Sequence, residues 1–261
     1  MTLARIVSAE TLDNLAENDP TAMRSRRDLR RVHFVMATQS IILRALHHLM
    51  SSRTKIAPLR ILELGAGDGI LMLGVAKKLT ATWPKVELTL LDRQTIVNSD
   101  TIASYAKLGW TAKIETIDVL DWAEGAINPP YTNQEPKHYD IIVANLFLHH
   151  FKGAQLVKIL NAIAAQTDQF FACEPRRSWF ALAGSHLVAL LGANKVTRED
   201  AVLSVHAGFR AKELSLLWSI TKSVPNLSSA NQTSASKWKV MEYSAGLFSH
   251  CFYVDKLEVD Q

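Results

Sequence analysis

Two periods of apolar and polar positions divide the chain. Over residues 1–56 the apolar side chains Val32, Val35, Met36, Ile41, Leu43, Leu46 and Leu49 recur at helical spacing, with Pro20 at a helix start and Thr21 as its cap. From Leu59 the pattern switches to short apolar runs separated by amphipathic stretches. Strands are predicted over 59–64, 86–91, 112–117, 139–144 and 169–173, with helices over 70–79, 97–108 and 154–165 and Gly109 as a C-cap. Residues 128–138, with Pro129, Pro130 and Pro136, read as a loop. Tyr139 to Ala144 is nearly all apolar, as a strand buried on both faces requires. Strands alternating with helices imply right-handed crossovers and a parallel sheet. Beyond Pro175 the alternation loosens: helices are predicted over 179–191 and 211–218, and a polar loop over 222–237. Two last strands, 238–243 and 249–254, flank Ala245-Gly246, a turn short enough to demand antiparallel pairing. The pattern is that of one α/β domain over 59–261, preceded by a helical cap over 1–58, with 176–237 as its irregular part.

Composition narrows the class. Of 261 residues, 48% are hydrophobic and 21% charged, which excludes general disorder. Cys173 and Cys251 are too few for a disulfide framework and lack metal-site spacing, which points to a reducing compartment, the cytoplasm. The first ten residues carry no secretory pattern. The longest apolar-rich run, Trp179 to Ala193, is shorter than the roughly 20 residues a membrane span needs. The net charge of +4 is unevenly spread: residues 1–60 carry +5 and residues 61–261 carry −1. A nucleic-acid partner, which wants a broad basic surface, is therefore disfavoured.

The sharpest local feature is Glu63-Leu64-Gly65-Ala66-Gly67-Asp68-Gly69, placed between a predicted strand and a predicted helix. Glycines there let backbone approach a ligand closely. The spacing is not the G-x-G-x-x-G of dinucleotide folds, and the flanking acids suit a cationic amino group or sulfonium better than a pyrophosphate. Asp92 ends the second strand, where a carboxylate can accept both ribose hydroxyls. Asp118 follows the third strand, where an acid can accept from an adenine amine.

Glu63-x-Gly65-x-Gly67-x-Gly69, Asp92, Ile117-Asp118-Val119 and Tyr139-Asp140-Ile141-Ile142-Val143-Ala144-Asn145 together resemble the core motifs of class I S-adenosylmethionine-dependent methyltransferases. The resemblance covers residues 59–175. It implies a doubly wound, Rossmann-like seven-stranded sheet of order 3-2-1-4-5-7-6 with strand 7 antiparallel, and 176–237 as a variable substrate or lid region. It also implies S-adenosylmethionine as cofactor. Glu63, Gly65, Ala66 and Gly67 would surround its methionine part, with Asn145 and Leu146 beside the amino group. Asp92 would hold the ribose, Arg93 flank the adenine, and Asp118 with Val119 hold the adenine edge. The expected activity is methyl transfer to a small aromatic or hydroxylated acceptor, at oxygen in preference to carbon.

A phenolic acceptor, with a pKa near about 10, would need a base. His149 and His150, directly after the fourth strand, are the candidates, against the plainer reading of two capping or packing histidines. No metal is expected, because no third ligand stands at recognisable spacing and H-E-x-x-H is absent. In the basic run 24–31, Arg27 and Arg31 lie on one helix face and could hold an anionic group, although such a face is more commonly just solvated. Arg177, Trp179 and Phe180, after the fifth strand, could line an acceptor pocket, or Phe180 could simply belong to the core. Two alternatives remain. A nicotinamide-dependent oxidoreductase would space its glycines G-x-G-x-x-G, with the third one residue later than Gly69. An RNA methyltransferase using the arginine run is the other. Asn145-Leu146-Phe147-Leu148 stands where amino-group methylators carry Asn/Asp-Pro-Pro-Tyr/Phe.

Overall fold

The computed structural model describes residues 3–51, 58–79, 83–128, 137–223 and 238–257. Residues 129–136 of the loop expected over 128–138 and residues 224–237 of the loop expected over 222–237 lie outside the described residues, as do residues 52–57; residues 222 and 223 are helical. Seven strands form one sheet: β1 (Leu59–Leu64), β2 (Val86–Asp92), β3 (Trp110–Thr116), β4 (Ile141–Asn145), β5 (Gln169–Pro175), β6 (Trp238–Ala245) and β7 (Ser249–Lys256). Their order is β3-β2-β1-β4-β5-β7-β6, with β7 antiparallel to both neighbours. The order reverses between β1 and β4, so their carboxyl ends part and open a crevice there.

Side-chain alternation along the central strands fills two cores. Ile61, Leu88, Ile141, Val143 and Phe171 face one side, packed by α2 (Thr38–Ser51), α3 (Ile70–Ala76) and α4 (Ser99–Lys107). Leu62, Leu91, Ile142, Ala144 and Phe170 face the other, packed by α5 (Val119–Ile127), α6 (Gly153–Gln166) and α9 (Glu213–Ser223). Of the expected cap, α2 is a core helix, since Ile42, Leu46 and Leu49 are fully buried against the sheet. α1 (Pro20–Val35) and the segment before it reach over the strand ends, joined by Gln39 and Ser40 from the first turn of α2. The cap of α1 is Asp19 rather than Thr21: its carboxylate accepts from the backbone N–H groups of Thr21 and Ala22, with Pro20 at the first helical position.

The remaining helices are α7 (Trp179–His186), continued by a 3-10 turn over Leu187–Leu191, and α8 (Lys195–Ala207). Helix α8 shows little apolar pattern because half of its buried residues, Thr197 and Asp200, are polar, beside Val205 and Ala207. Asp200 binds the N-terminal segment, accepting from Thr11 N at 2.8 Å and Leu12 N at 2.9 Å. Arg5 Nε donates to Ala207 O at 2.8 Å, and Ile6 N to His206 O at 3.1 Å. Buried Asp28 of α1 accepts from Asn194 N, the capping residue of α8. These bonds hold residues 5–12 and α1 across α8. Cys173 and Cys251 are buried free thiols, opposite one another on β5 and β7. No helix among the described residues is long and apolar enough to cross a membrane.

Trp218 on α9 stacks on Phe170, 6.4 Å between centroids, and meets Phe252 and Trp238. Trp218→Ala is expected to lower unfolding free energy by about 3–5 kcal/mol in urea denaturation, the cost of a large buried aromatic. A loss below about 1 kcal/mol would mean that this face of the sheet repacks freely.

Candidate functional site

The β1–β4 crevice opens into a cavity of about 890 Å³. Its floor is the turn from β1 into α3. Gly65 has φ +68°, and a Cβ there would lie 2.3 Å from the Phe147 ring, so the position accepts only glycine. Asp92 at the end of β2 fixes the turn from the side: one carboxylate oxygen accepts from Gly67 N at 2.8 Å, the other from Gln94 N at 2.9 Å. Tyr105 Oη donates to Gly69 O at 2.7 Å. Ala66, Leu146 and Val119 line the same cavity, and Leu146 is held at φ +47° with its N–H on Cys173 O.

Two buried polar atoms beside the turn are left without partners: Glu63 Oε2 and Asn145 Oδ1. Both residues line the cavity. Burial, with Asp68 and Asp92 nearby, raises the Glu63 carboxyl to about 8. Asp118 lines the adjoining wall and caps α5, accepting from Leu120 N at 2.7 Å. Arg93 turns to the N-terminal segment, bonding Asp13 O and pairing with the Asp13 carboxylate at 3.8 Å.

A family model described as lysine methyltransferase matches residues 32–181. The chain belongs to the lysine methyltransferase family. It is thereby a class I S-adenosylmethionine-dependent methyltransferase. Solved structures share the fold of this family member at low identity. The plantazolicin methyltransferase BpumL, in complex with SAH, superposes with TM-score 0.57 at 15% identity, over 91% of each chain. An O-methyltransferase family protein from Burkholderia thailandensis gives 0.55 at 12%, covering 92% of this chain and 61% of that one. The mitomycin 7-O-methyltransferase MmcR gives 0.53 at 15%, covering 94% and 60%. No curated protein matches the sequence.

Within this methyltransferase, both histidines after β4 line the cavity. His149 is 2% exposed, with Nδ1 2.8 Å from Glu174 and Nε2 3.3 Å from Glu10. Burial pushes its pKa down, but hydrogen bonds to Glu10 and Glu174 outweigh that and raise it to about 9. Both of its ring nitrogens therefore lie against carboxylates, Nδ1 on Glu174 and Nε2 on Glu10. His150 is more open, with Nδ1 3.1 Å from Asp13.

The arginine expectation shifts by one residue around α1. Arg26 and Arg30 line the cavity, whereas Arg27 is solvent-exposed and Arg31 pairs with Asp28 and Leu191 O. Arg26 bonds Gln94 and Glu17 O, and Arg30 pairs with Asp68 at 2.8 Å. Arg177 is buried away from the cavity, spent on Leu3 O, Gly208 O and Glu213. Trp179 and Phe180 are 58% and 74% exposed and also lie outside the cavity lining. Residues that line it without a sequence signal are Glu10, Asp13, Leu29 and Phe34, brought from elements remote in the chain.

The Glu63 carboxyl gives a pH test. Its folded value of about 8 exceeds the ordinary 4.5, so its contribution to stability is complete below about pH 4.5 and is lost as pH rises toward about 8. Denaturation of the ligand-free chain between about pH 5.5 and 8.5 should show falling stability, with a flatter profile in Glu63→Gln. Equal slopes in the two proteins would mean that Glu63 ionises normally.

Proposed function

We propose that this chain transfers a methyl group from S-adenosylmethionine to a small hydroxylated or aromatic acceptor held in the cavity above the β1–α3 turn. The carrying observation is the pair of unpartnered buried oxygens, Glu63 Oε2 and Asn145 Oδ1, beside a glycine turn that has no room for a side chain at Gly65. A buried carboxyl that gives up its proton when a cation meets it, and a carbonyl oxygen with free lone pairs, suit a ligand ammonium. Asp92 keeps lone pairs for ribose hydroxyls after its two backbone bonds, while Asp118 and the Val119 backbone would meet the adenine edge. Gly65, Ala66, Gly67 and Leu146 would line the methionine part, with Arg93 flanking the adenine.

The cofactor supplies an electrophilic methyl on a sulfonium whose positive charge disperses during transfer. The protein's own work is placement and exclusion of water. Leu29, Phe34, Phe147 and Phe151 offer apolar walls for an aromatic acceptor, and residues 8–14 roof the space. His150, oriented by Asp13, presents a ring that can hold an acceptor hydroxyl by hydrogen bond. Arg26 and Arg30 give the cavity a cationic edge for an anionic substituent. A cavity of this size lies at the upper end of small-ligand sites of about 300–1,000 Å³, enough for cofactor and acceptor together.

A second reading is a lysine or other amine acceptor. It is favoured by the family's description and by the acids Glu10 and Asp13 at the roof. The plantazolicin methyltransferase BpumL crystallised with a monoazolic desmethylPZN analogue and SAH.

Calorimetry with S-adenosylhomocysteine should give binding near about micromolar, or about −8 kcal/mol. Asp92→Ala should weaken it by about 10- to 100-fold, the loss of hydrogen bonds to a charged acceptor. Binding of NAD in place of S-adenosylhomocysteine would overturn the reading. Methyl-labelled cofactor added to a cell extract should label low-mass compounds; label confined to protein would select the amine reading.

A further inference from the structure

Above the cofactor turn, the N-terminal segment and the 3-10 turn after β4 bring together groups that the methyl-transfer reading uses only in part. Glu10, His149 and His150 each offer a donor atom, all within 4.8 Å of one another, and all three residues line the cavity. We propose that these three residues form a binding site for a divalent transition metal, with zinc as the type ion, in the roof of the cavity.

Donor chemistry and spacing carry the inference. Two imidazoles and a carboxylate are the nitrogen and oxygen set that borderline-soft dications take. Bonds of about 2.0–2.1 Å in a tetrahedron place neighbouring donor atoms about 3.4 Å apart. His149 Nε2 and Glu10 Oε1 stand 3.3 Å apart, near that spacing, and the proton that bridges them would leave as the dication binds. The two rings are 4.2 Å apart between centroids and tilted by 34°.

The surroundings have the form of a built site. Metal-binding histidines commonly give their other ring nitrogen to a carboxylate, which fixes ring orientation and raises basicity. His149 does so through Nδ1 to Glu174, at 2.8 Å, and Glu174 is itself fully buried. That carboxylate is further fixed by Leu148 N at 2.9 Å and Phe147 N at 3.2 Å. Asp13 stands 3.1 Å from His150 Nδ1, and the Ser204 hydroxyl bonds Glu10. Three protein donors leave a further coordination position toward the cavity, where an acceptor's hydroxyl or carboxylate oxygen has fitting chemistry. That last point alone rests on the methyltransferase reading; the metal site does not.

The test uses the full chain, stripped with a chelator, dialysed, and titrated with Co²⁺ and then Zn²⁺. One Co²⁺ per chain with tetrahedral d–d absorption, displaced by Zn²⁺, is the expected result. Glu10→Gln and His150→Ala should each weaken Zn²⁺ binding at least about tenfold while circular dichroism stays unchanged. His138→Ala, at the surface pair with Asp168, should leave binding as it was. No stoichiometric ion, or binding that survives both site variants, would overturn the proposal. S-adenosylhomocysteine binding on the same samples separates the two readings. S-adenosylhomocysteine bound by a chain that takes no metal sinks the metal site alone, and metal bound by a chain that takes no S-adenosylhomocysteine sinks the methyltransferase reading alone.

Discussion

The Glu174 carboxylate, fully buried at the end of β5, is the point on which the cavity's architecture turns. A charge without exposure persists only when hydrogen bonds meet it. Here the backbone N–H groups of Phe147, Leu148 and His149 and the His149 ring do so. The bonds hold the chain after β4 in a tight 3-10 turn. That turn sets Phe147 against Gly65, places Leu146 and Asn145 beside the glycine turn, and aims His149 at Glu10. Glu10 in turn belongs to the segment fixed by Asp200. Cofactor floor and cavity roof are thus coupled through one side chain of the neighbouring strand.

Much of the fold was legible because its signals are local. Strand β1 has the bounds predicted from 59–64, and the alternation of Ile61 with Leu62 and of Val143 with Ala144 between two cores is what an apolar run buried on both faces provides. The acids Glu63, Asp92 and Asp118 could be placed because each ends or follows a strand, and parallel strand ends share one rim. Helix α8 carries a weak apolar signal because polar Thr197 and Asp200 share its buried positions with Val205 and Ala207. Thr21 and Asp19 are both good capping types, and only the backbone path chooses between them. The arginine run has two equivalent i, i+4 pairs, and tertiary packing through Asp28 and Asn194 decides which pair turns inward.

Roof residues were beyond sequence reading for a different reason. Glu10 meets His149 across 139 positions, and nothing in either neighbourhood encodes the other. The absence of a third ligand at recognisable spacing was a true statement about the sequence. It does not carry over to space, where docking of one extended segment supplies the missing carboxylate. For His149 the place after β4 is legible, but Glu10 and Glu174, the two carboxylates that hold its ring, come from distant parts of the chain.

The tether between the N-terminal segment and α8 has a consequence for assembly on the ribosome. Thr11 is translated early, yet its partner Asp200 follows 189 residues later, and Arg5 waits 202 residues for Ala207. Central strand β5 likewise lacks its outer neighbour β7 until residues 249–256 emerge. Contacts so distant in the chain form late and slowly. The glycine turn, Asp92 and Asp118 are all synthesised by mid-chain, so a nascent chain holds the elements of its cofactor floor well before it can build a roof.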